Sequence, residues 1–258
     1  MAQNDVITAI DVGTTKICTI VAQKVNGEYP EVIAHSVVTC SGLKKGNVED
    51  ITLTSEAIRQ SLYEVRGKTE IPIRSAYIGI TGAHVTFDNR VDHLDGVGRH
   101  GVITADEVSK IPDLVTAGAE TYGREIIHAL PKTYRVDGHN GINNPTGMHA
   151  EGVEVVSHVV SAGSSFVRDL ETAATSAGLK VKGMVLEPLA SSEAILTSKE
   201  KNKGAAIVDI GGGTTDIVVF KKGTIDYTSV IPVGGYQFTN DICVTYNTSY
   251  QDAEKAKL

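Results

Sequence analysis

Two segments of this chain carry nearly the same wording. Residues 6–21 read VITAIDVGTTKICTIV, and residues 205–220 read AAIVDIGGGTTDIVVF. Each is an apolar run, an aspartate, a glycine–threonine turn and a second apolar run, the pattern of a strand–turn–strand hairpin. In the aligned wording Asp11 matches Asp209, Thr14 and Thr15 match Thr214 and Thr215, and Lys16 falls opposite Asp216. A hairpin with a Gly/Thr tip and a carboxylate at its base suits a phosphate chain carrying a metal ion. Two of them, far apart in one chain, imply two similar lobes closing on one nucleotide.

Composition leaves room for this. The 258 residues suffice for one large or two modest domains, and 41% hydrophobic with 21% charged residues is ordinary for a globular chain. The net charge is −7 and no long basic stretch occurs, which argues against nucleic acid as a partner. The lysine cluster at 199–203 reads as a solvated helix end or loop. Cys18, Cys40 and Cys243 are odd in number and scattered, so they read as reduced thiols. His128 and His158 sit among apolar residues and read as structural histidines. The N-terminus lacks the basic region and apolar run of a signal peptide, and no stretch matches a spanning helix. The expectation is a cytosolic chain that does not enter a membrane by itself.

Strands are expected at 6–12, 16–23 and 31–40, with a turn at Gly27, a loop at 42–47, and a helix over 51–66 burying Ile51, Ile58, Leu62 and Val65. Such a meander is unlike a Rossmann start, where the first glycine turn opens a helix. A strand over 74–81 leads into residues 83–163, read as an inserted α+β subdomain. It has a capping box, Thr104 to Glu107, opening a helix over 105–119. It also has a strand region over 124–137 broken at Pro131, a loop over 140–148 and a strand over 151–160. A helix capped by Ser164 or Ser165 follows, with Gly178 after its end. Next come a strand over 180–186, a helix over 188–198 with Pro188 in its first turn, the second hairpin, and a strand over 224–232. Helices from Tyr236 and over 252–258 complete the chain.

These residues suit a nucleotide for physical reasons. Amide groups at a glycine tip can converge on phosphate oxygens, and threonine hydroxyls add neutral donors. Mg²⁺ prefers oxygen ligands and keeps several waters, so Asp11 and Asp209 fit as partners acting mainly through water or as orienters of an attacking water. Lys16 can place positive charge at the β- and γ-phosphates. Phosphoryl transfer needs mainly positioning and charge stabilisation. The chain has no Walker loop and no GxGxxG, so those phosphate sites are excluded.

The two hairpins resemble the phosphate motifs of the actin, sugar-kinase and heat-shock chaperone ATPase superfamily, and LEPLASSEAIL over 186–196 resembles its connecting helix. The resemblance implies an α/β, ribonuclease H-like actin fold. It makes Glu187 a candidate carboxylate for orienting water or metal, with Glu193 as the weaker alternative; a charge favoured at a helix N-terminus is the structural reading of Glu187. Within the superfamily, VDIGGGTTDIVVF with VIPVGGYQFTNDI, GMHAEGVEVVSHVV, NPTGM and ITGAHV resemble the FtsA family of bacterial cell-division proteins. The related pilus protein PilM shares the place of the insert.

By that resemblance, residues 1–82 with 164–203 form a first lobe, 83–163 the inserted subdomain, and 204–258 the start of a second lobe. ATP and Mg²⁺ would bind, with weak hydrolysis at most and Asp209, Glu187 and Asp11 at its centre. Asp11, Gly13, Thr14, Thr15 and Lys16 would line one phosphate site, and Gly211, Gly212, Gly213, Thr214 and Thr215 the other. Glu254 and Lys257 match a pair that flanks the adenosine in relatives, and also fit an ordinary helix-surface pair.

The family further implies filaments on the cytoplasmic face of the membrane at the division site, tethering the tubulin-like FtsZ. The resemblance implies a truncated form here. Most of a fourth subdomain, a later adenosine-binding segment and a C-terminal amphipathic helix are missing from the wording, and 236–258 would expose apolar surface. Two rivals are a PilM-like pilus-assembly ATPase and a small-molecule kinase of the same superfold. For the kinase, Asp106 and Asp137 are the available bases, though capping and turn roles explain both.

Overall fold

The computed structural model describes residues 6–24, 30–98, 101–119 and 121–258. The turn expected at Gly27 lies outside them. In chain order the elements begin with β1 (Val6–Val12), β2 (Lys16–Gln23), β3 (Glu31–Thr39), β4 (Leu43–Lys44), β5 (Asn47–Val48), α1 (Ile51–Arg66) and β6 (Ser75–Ile80). The insert contributes β7 (Thr86–His93), α2 (Ala105–Ala117), β8 (Arg124–Val136), β9 (His139–Ile142) and β10 (Val153–Gly163). Then follow α3 (Ser164–Ser176), β11 (Lys180–Leu186), α4 (Glu187–Ile195), α5 (Ser198–Lys203), β12 (Ala205–Ile210), β13 (Thr215–Lys221), β14 (Thr224–Ile231), α6 (Gly235–Tyr246) and α7 (Tyr250–Lys257).

The first sheet has the order β11-β6-β1-β2-β3. Its meander β1-β2-β3 is antiparallel, while β6 runs parallel to β1 and β11 parallel to β6. Parallel neighbours need crossovers, and α1 and α3 supply them. Ile58, Leu62, Val167 and Leu170 of those helices pack with Ile10, Val12, Ile17 and Ile78 of the sheet in one buried core. Burial of this apolar area is the main force holding the lobe. Ile51 departs from the expected face: it begins the helix and stays 37% exposed, while Ile58, Leu62 and Val65 are fully buried.

The insert forms a second sheet, β7-β10-β8-β9, whose core gathers Ile103, Ile111 and Val115 against Val136, Val155 and Val159. The Thr104–Glu107 capping box is present. Pro131 does not break its strand. The register jumps so that Val156 faces Thr133 and Ser157 faces Pro131, and Lys132 becomes the extra residue of a bulge. On the far side β9 pairs only with Tyr134 and Val136, so the missing N–H of Pro131 leaves no ladder bond unmade. The third sheet is the antiparallel β12-β13-β14.

Other boundaries shift for local reasons. The loop at 42–47 folds into a minimal hairpin, because Lys45 and Gly46 both adopt positive φ (52° and 79°). Within 140–148 the first residues belong to β9. Neither Ser164 nor Ser165 caps α3: β10 runs straight into the helix, Gly163 holds the cap position, and the Ser164 N–H donates to Gly123 O at 3.0 Å. Gly178 follows the helix with φ +82°. The connecting helix ends at Ile195, because a new capping box, Thr197 with Glu200, starts α5.

Candidate functional site

Both repeated segments are β-hairpins of the same size. In the first, Gly13 N donates to Lys16 O at 3.1 Å, with Thr14 and Thr15 at the tip. In the second, Gly211 N donates to Thr214 O at 2.9 Å, with Gly212 and Gly213 at the tip. The cross-strand partners are Asp11 with Cys18 and Asp209 with Asp216. The aspartates therefore correspond, but the threonines do not. Thr14 and Thr15 stand where the second hairpin has Gly212 and Gly213, and Lys16 stands opposite Thr214. The alignment of threonine with threonine is corrected by equal loop length: matching the letters requires a two-residue gap that the backbone does not contain.

The tips meet. A Cβ on Gly213 would lie 2.6 Å from Thr14 Oγ1, and one on Gly212 would lie 2.7 Å from Thr15 Cγ2. Only glycine permits that approach. Thr14 Oγ1 in turn accepts from Gly46 N at 3.2 Å, which anchors the first tip to the β4–β5 hairpin.

Behind the tips lies a cavity of about 420 Å³. Asp11, Gly13, Thr14, Thr15 and Lys16 line it from the first lobe, Glu187 and Ser191 from α4, and Asp209, Gly211, Gly212, Gly213 and Thr214 from the second. Asp209 Oδ2 accepts from Ser191 Oγ at 2.7 Å. Glu187 packs over Gly79 of β6, where a Cβ would sit 3.3 Å from its Oε1. That Oε1 is buried and has no hydrogen-bond partner.

Electrostatics set this cavity apart. Desolvation in the cleft raises Asp11, the Asp209 charge adds to the rise, and Lys16 opposes it. Desolvation likewise pushes Glu187 well above the ordinary carboxylate range, reinforced by Asp11, Asp216 and Asp209. Asp216 lies just behind the cavity wall, 2% exposed, bonded to Thr81 Oγ1 and accepting from Thr214 Oγ1 at 3.1 Å. Burial raises it to about 6 despite the two hydroxyls. Carboxylates crowded in this way are stabilised by a cation.

Among the described residues no three acid, histidine or cysteine side chains converge with direct metal-ligand spacing. Mg²⁺ keeps several of its waters, and the orphaned Glu187 oxygen can accept a hydrogen bond from one of them. The donor set therefore fits Mg²⁺ bound to phosphate.

The structure does not bring every candidate to the cavity wall. Thr215 spends its hydroxyl on Val233 O at 2.8 Å. Glu254 and Lys257 pair at 2.7 Å on α7, and Lys257 Nζ also donates to Thr239 Oγ1 at 3.0 Å and to Gly235 O at 3.3 Å. They sit beside the second hairpin, since Gly235 N donates to Gly211 O at 2.9 Å. Asp106 and Asp137 stay in the insert, the first paired with Lys110 and the second accepting from Glu151 N and Gly152 N. Sequence reasoning missed Ser191 and Thr81. Ser191 was findable as the position one helical turn beyond Glu187, whereas nothing local marks Thr81.

The family described as "Cell division protein FtsA" matches residues 206–258, and the "SHS2 domain inserted in FTSA" matches 82–161. The chain is 34% identical to the cell division protein FtsA of Pseudomonas aeruginosa, over 98% of this chain and 60% of that protein. It is 29% identical to that of Bacillus subtilis, over 100% and 58%. It thus spans about three-fifths of the length of these relatives. Among solved structures, a chain of the PilM–PilN type IV pilus biogenesis complex superposes with a TM-score of 0.65 at 18% identity, over 97% of this chain and 68% of that one. The ethanolamine utilization protein EutJ from Carboxydothermus hydrogenoformans superposes with a TM-score of 0.54 at 18% identity, over 97% and 60%. These two likenesses speak to the fold alone, which is the actin-like ATPase fold.

Proposed function

The chain belongs to the FtsA family of cell-division proteins, and from that premise we propose that its cleft binds Mg²⁺-ATP as the switch of a membrane-bound division filament. The observation that carries the reading is the Glu187 Oε1 left without a partner among Asp11, Asp209 and Asp216, between two hairpins. Gly13, Thr14, Thr15 and Lys16 would take one side of the phosphate chain, and Gly211, Gly212, Gly213 and Thr214 the other. Thr215 would steady the second hairpin through Val233. Asp11 and Asp209 would hold the magnesium ion, mainly through its waters, and the ion would supply neutralisation of phosphate charge. Glu187 would accept a hydrogen bond from the attacking water at its unpartnered Oε1 and so orient it. Glu254 and Lys257 would flank the adenosine.

In the whole protein, ATP would hold the lobes together and favour head-to-tail filaments on the cytoplasmic face of the membrane at the division site, tethering FtsZ and other division proteins. Among the described residues no helix is long and apolar enough to cross a membrane.

Calorimetry of Mg²⁺-ATP against this chain, with Asp11→Ala and Asp209→Ala, tests the reading. Expected is binding that each substitution weakens at least about tenfold, the scale of one charge-assisted contact. A folded chain that binds no nucleotide, or binds it equally in all three forms, would overturn it.

A further inference from the structure

A side chain of the insert bonds the backbone just ahead of Glu187. His128 lies on β8, and its Nε2 is 3.0 Å from the backbone N of Leu186. Leu186 is the last residue of β11, and Glu187 follows it as the first residue of α4. β11 is an edge strand, paired on one side with β6. α4 has no side-chain cap: its cap position is Leu186 itself. The point where the chain turns from strand to helix, and where Glu187 enters the cavity, is thus held from its open side by an imidazole of another sheet.

An amide N–H can only donate, so Nε2 must be the acceptor and the proton of the neutral ring must sit on Nδ1. Desolvation favours that neutral form. The neighbouring Glu187 Oε1 makes no hydrogen bond of its own. Its position is set by Gly79 beneath it and by the backbone it springs from.

We propose that His128 is a positioning residue for Glu187, and that this bond carries the placement of the insert into the nucleotide cleft. Its value to catalysis rests on the ATP reading above; its effect on the position of Glu187 does not. A shift of the insert that draws β8 from β11 releases Leu186 N, and Glu187 then loses its fixed entry. The test compares the full chain with His128→Phe, which keeps bulk and removes the acceptor, and with His128→Gln, whose amide oxygen can replace Nε2.

Two-bond ¹H–¹⁵N spectra of the unaltered protein should show the Nδ1–H tautomer. Hydrogen exchange at the Leu186 amide should quicken on the order of tenfold in the Phe variant and stay within about twofold in the Gln variant. The Glu187 carboxyl ¹³C resonance should move in the first and hold in the second. Where ATP is turned over, kcat should fall about tenfold in the Phe variant with KM nearly unchanged, since misplacing a catalytic group costs rate rather than binding. An Nε2–H tautomer overturns the proposal. So does a Phe variant that keeps the exchange rate and the Glu187 resonance of the parent. Failure of the ATP reading shows separately, as an unaltered chain that gives these spectra yet binds no Mg²⁺-ATP.

Discussion

The two hairpins share a backbone and differ at the tip, and that difference matters more than their likeness. The first presents two threonines and the second two glycines at the same two positions, so side chains of one lobe seat in the space left by the other. A symmetric pair, threonine against threonine or glycine against glycine, would clash or leave a gap. The repeat thus builds a complementary contact between lobes.

The strands behind the tips differ as well. By register Ile10 and Val12 correspond to Val208 and Ile210. The first pair is 1% and 3% exposed beneath α1 and α3, whereas the second is 55% and 67% exposed. Phe238, Val244 and Tyr246 on α6 are exposed too. The same apolar pattern is core in one lobe and open surface in the other, because only the first has a helix layer over that face among the described residues.

The contact between tips offers the strongest way to break this comparison. Gly213→Ala places a methyl 2.6 Å from Thr14 Oγ1 and should cost about 1–3 kcal/mol of stability. Thr14→Gly in the same chain should restore more than half. A double-mutant cycle by urea denaturation reads the coupling, and additive effects would show that the tips do not interlock.

The cross-strand partners come next. Asp216 is raised to about 6 from an ordinary 3.8, chiefly by desolvation. The folded state therefore holds that proton more tightly than the unfolded chain. This contribution is fully present below about pH 4 and is lost as the pH rises through 6. Asp216→Asn should accordingly raise the melting temperature of the nucleotide-free protein above pH 6, with the gain fading toward pH 4. Cys18→Ser, at the corresponding site of the first hairpin, should show no such trend over that range. A pH-independent gain at Asp216 would remove the electrostatic distinction between the hairpins.

The smallest effect is expected at Thr215. Thr215→Val loses the bond to Val233 O, worth about 0.5–1.5 kcal/mol. Its counterpart in the first hairpin, by register, is Ile17. Mg²⁺-ATP affinity should hold within about twofold. A tenfold loss of affinity would mean that Thr215 touches the phosphates directly.

Much of this was legible in the chain. The hairpins, the meander, α1, the capping box of α2 and the proline-led α4 all follow from signals within a few residues of one another. Asp11 and Asp209 could be picked out because each sits at a fixed place in a local motif, and Glu187 through the family resemblance of its helix. Pro131 misled because a bulge, set by the partner strand, absorbs it. Ser164 misled because β10 feeds directly into α3 and Gly123 takes its N–H. The matching threonines misled because letters can be aligned across a gap that equal turns forbid.

By itself, the sequence determined most strands and helices outside the insert, and that two carboxylate-based hairpins recur, since hydrophobic period and turn chemistry are local properties; β7, β9 and the β4–β5 hairpin were not among them. Tertiary structure alone decided which tip faces which, that Thr81 meets Asp216 across 135 positions, and that His128 of the insert holds Leu186 across 58. These contacts form only when separate sheets are packed together. Whether a buried polar atom is satisfied or orphaned is settled there, and no window of neighbouring residues contains the answer.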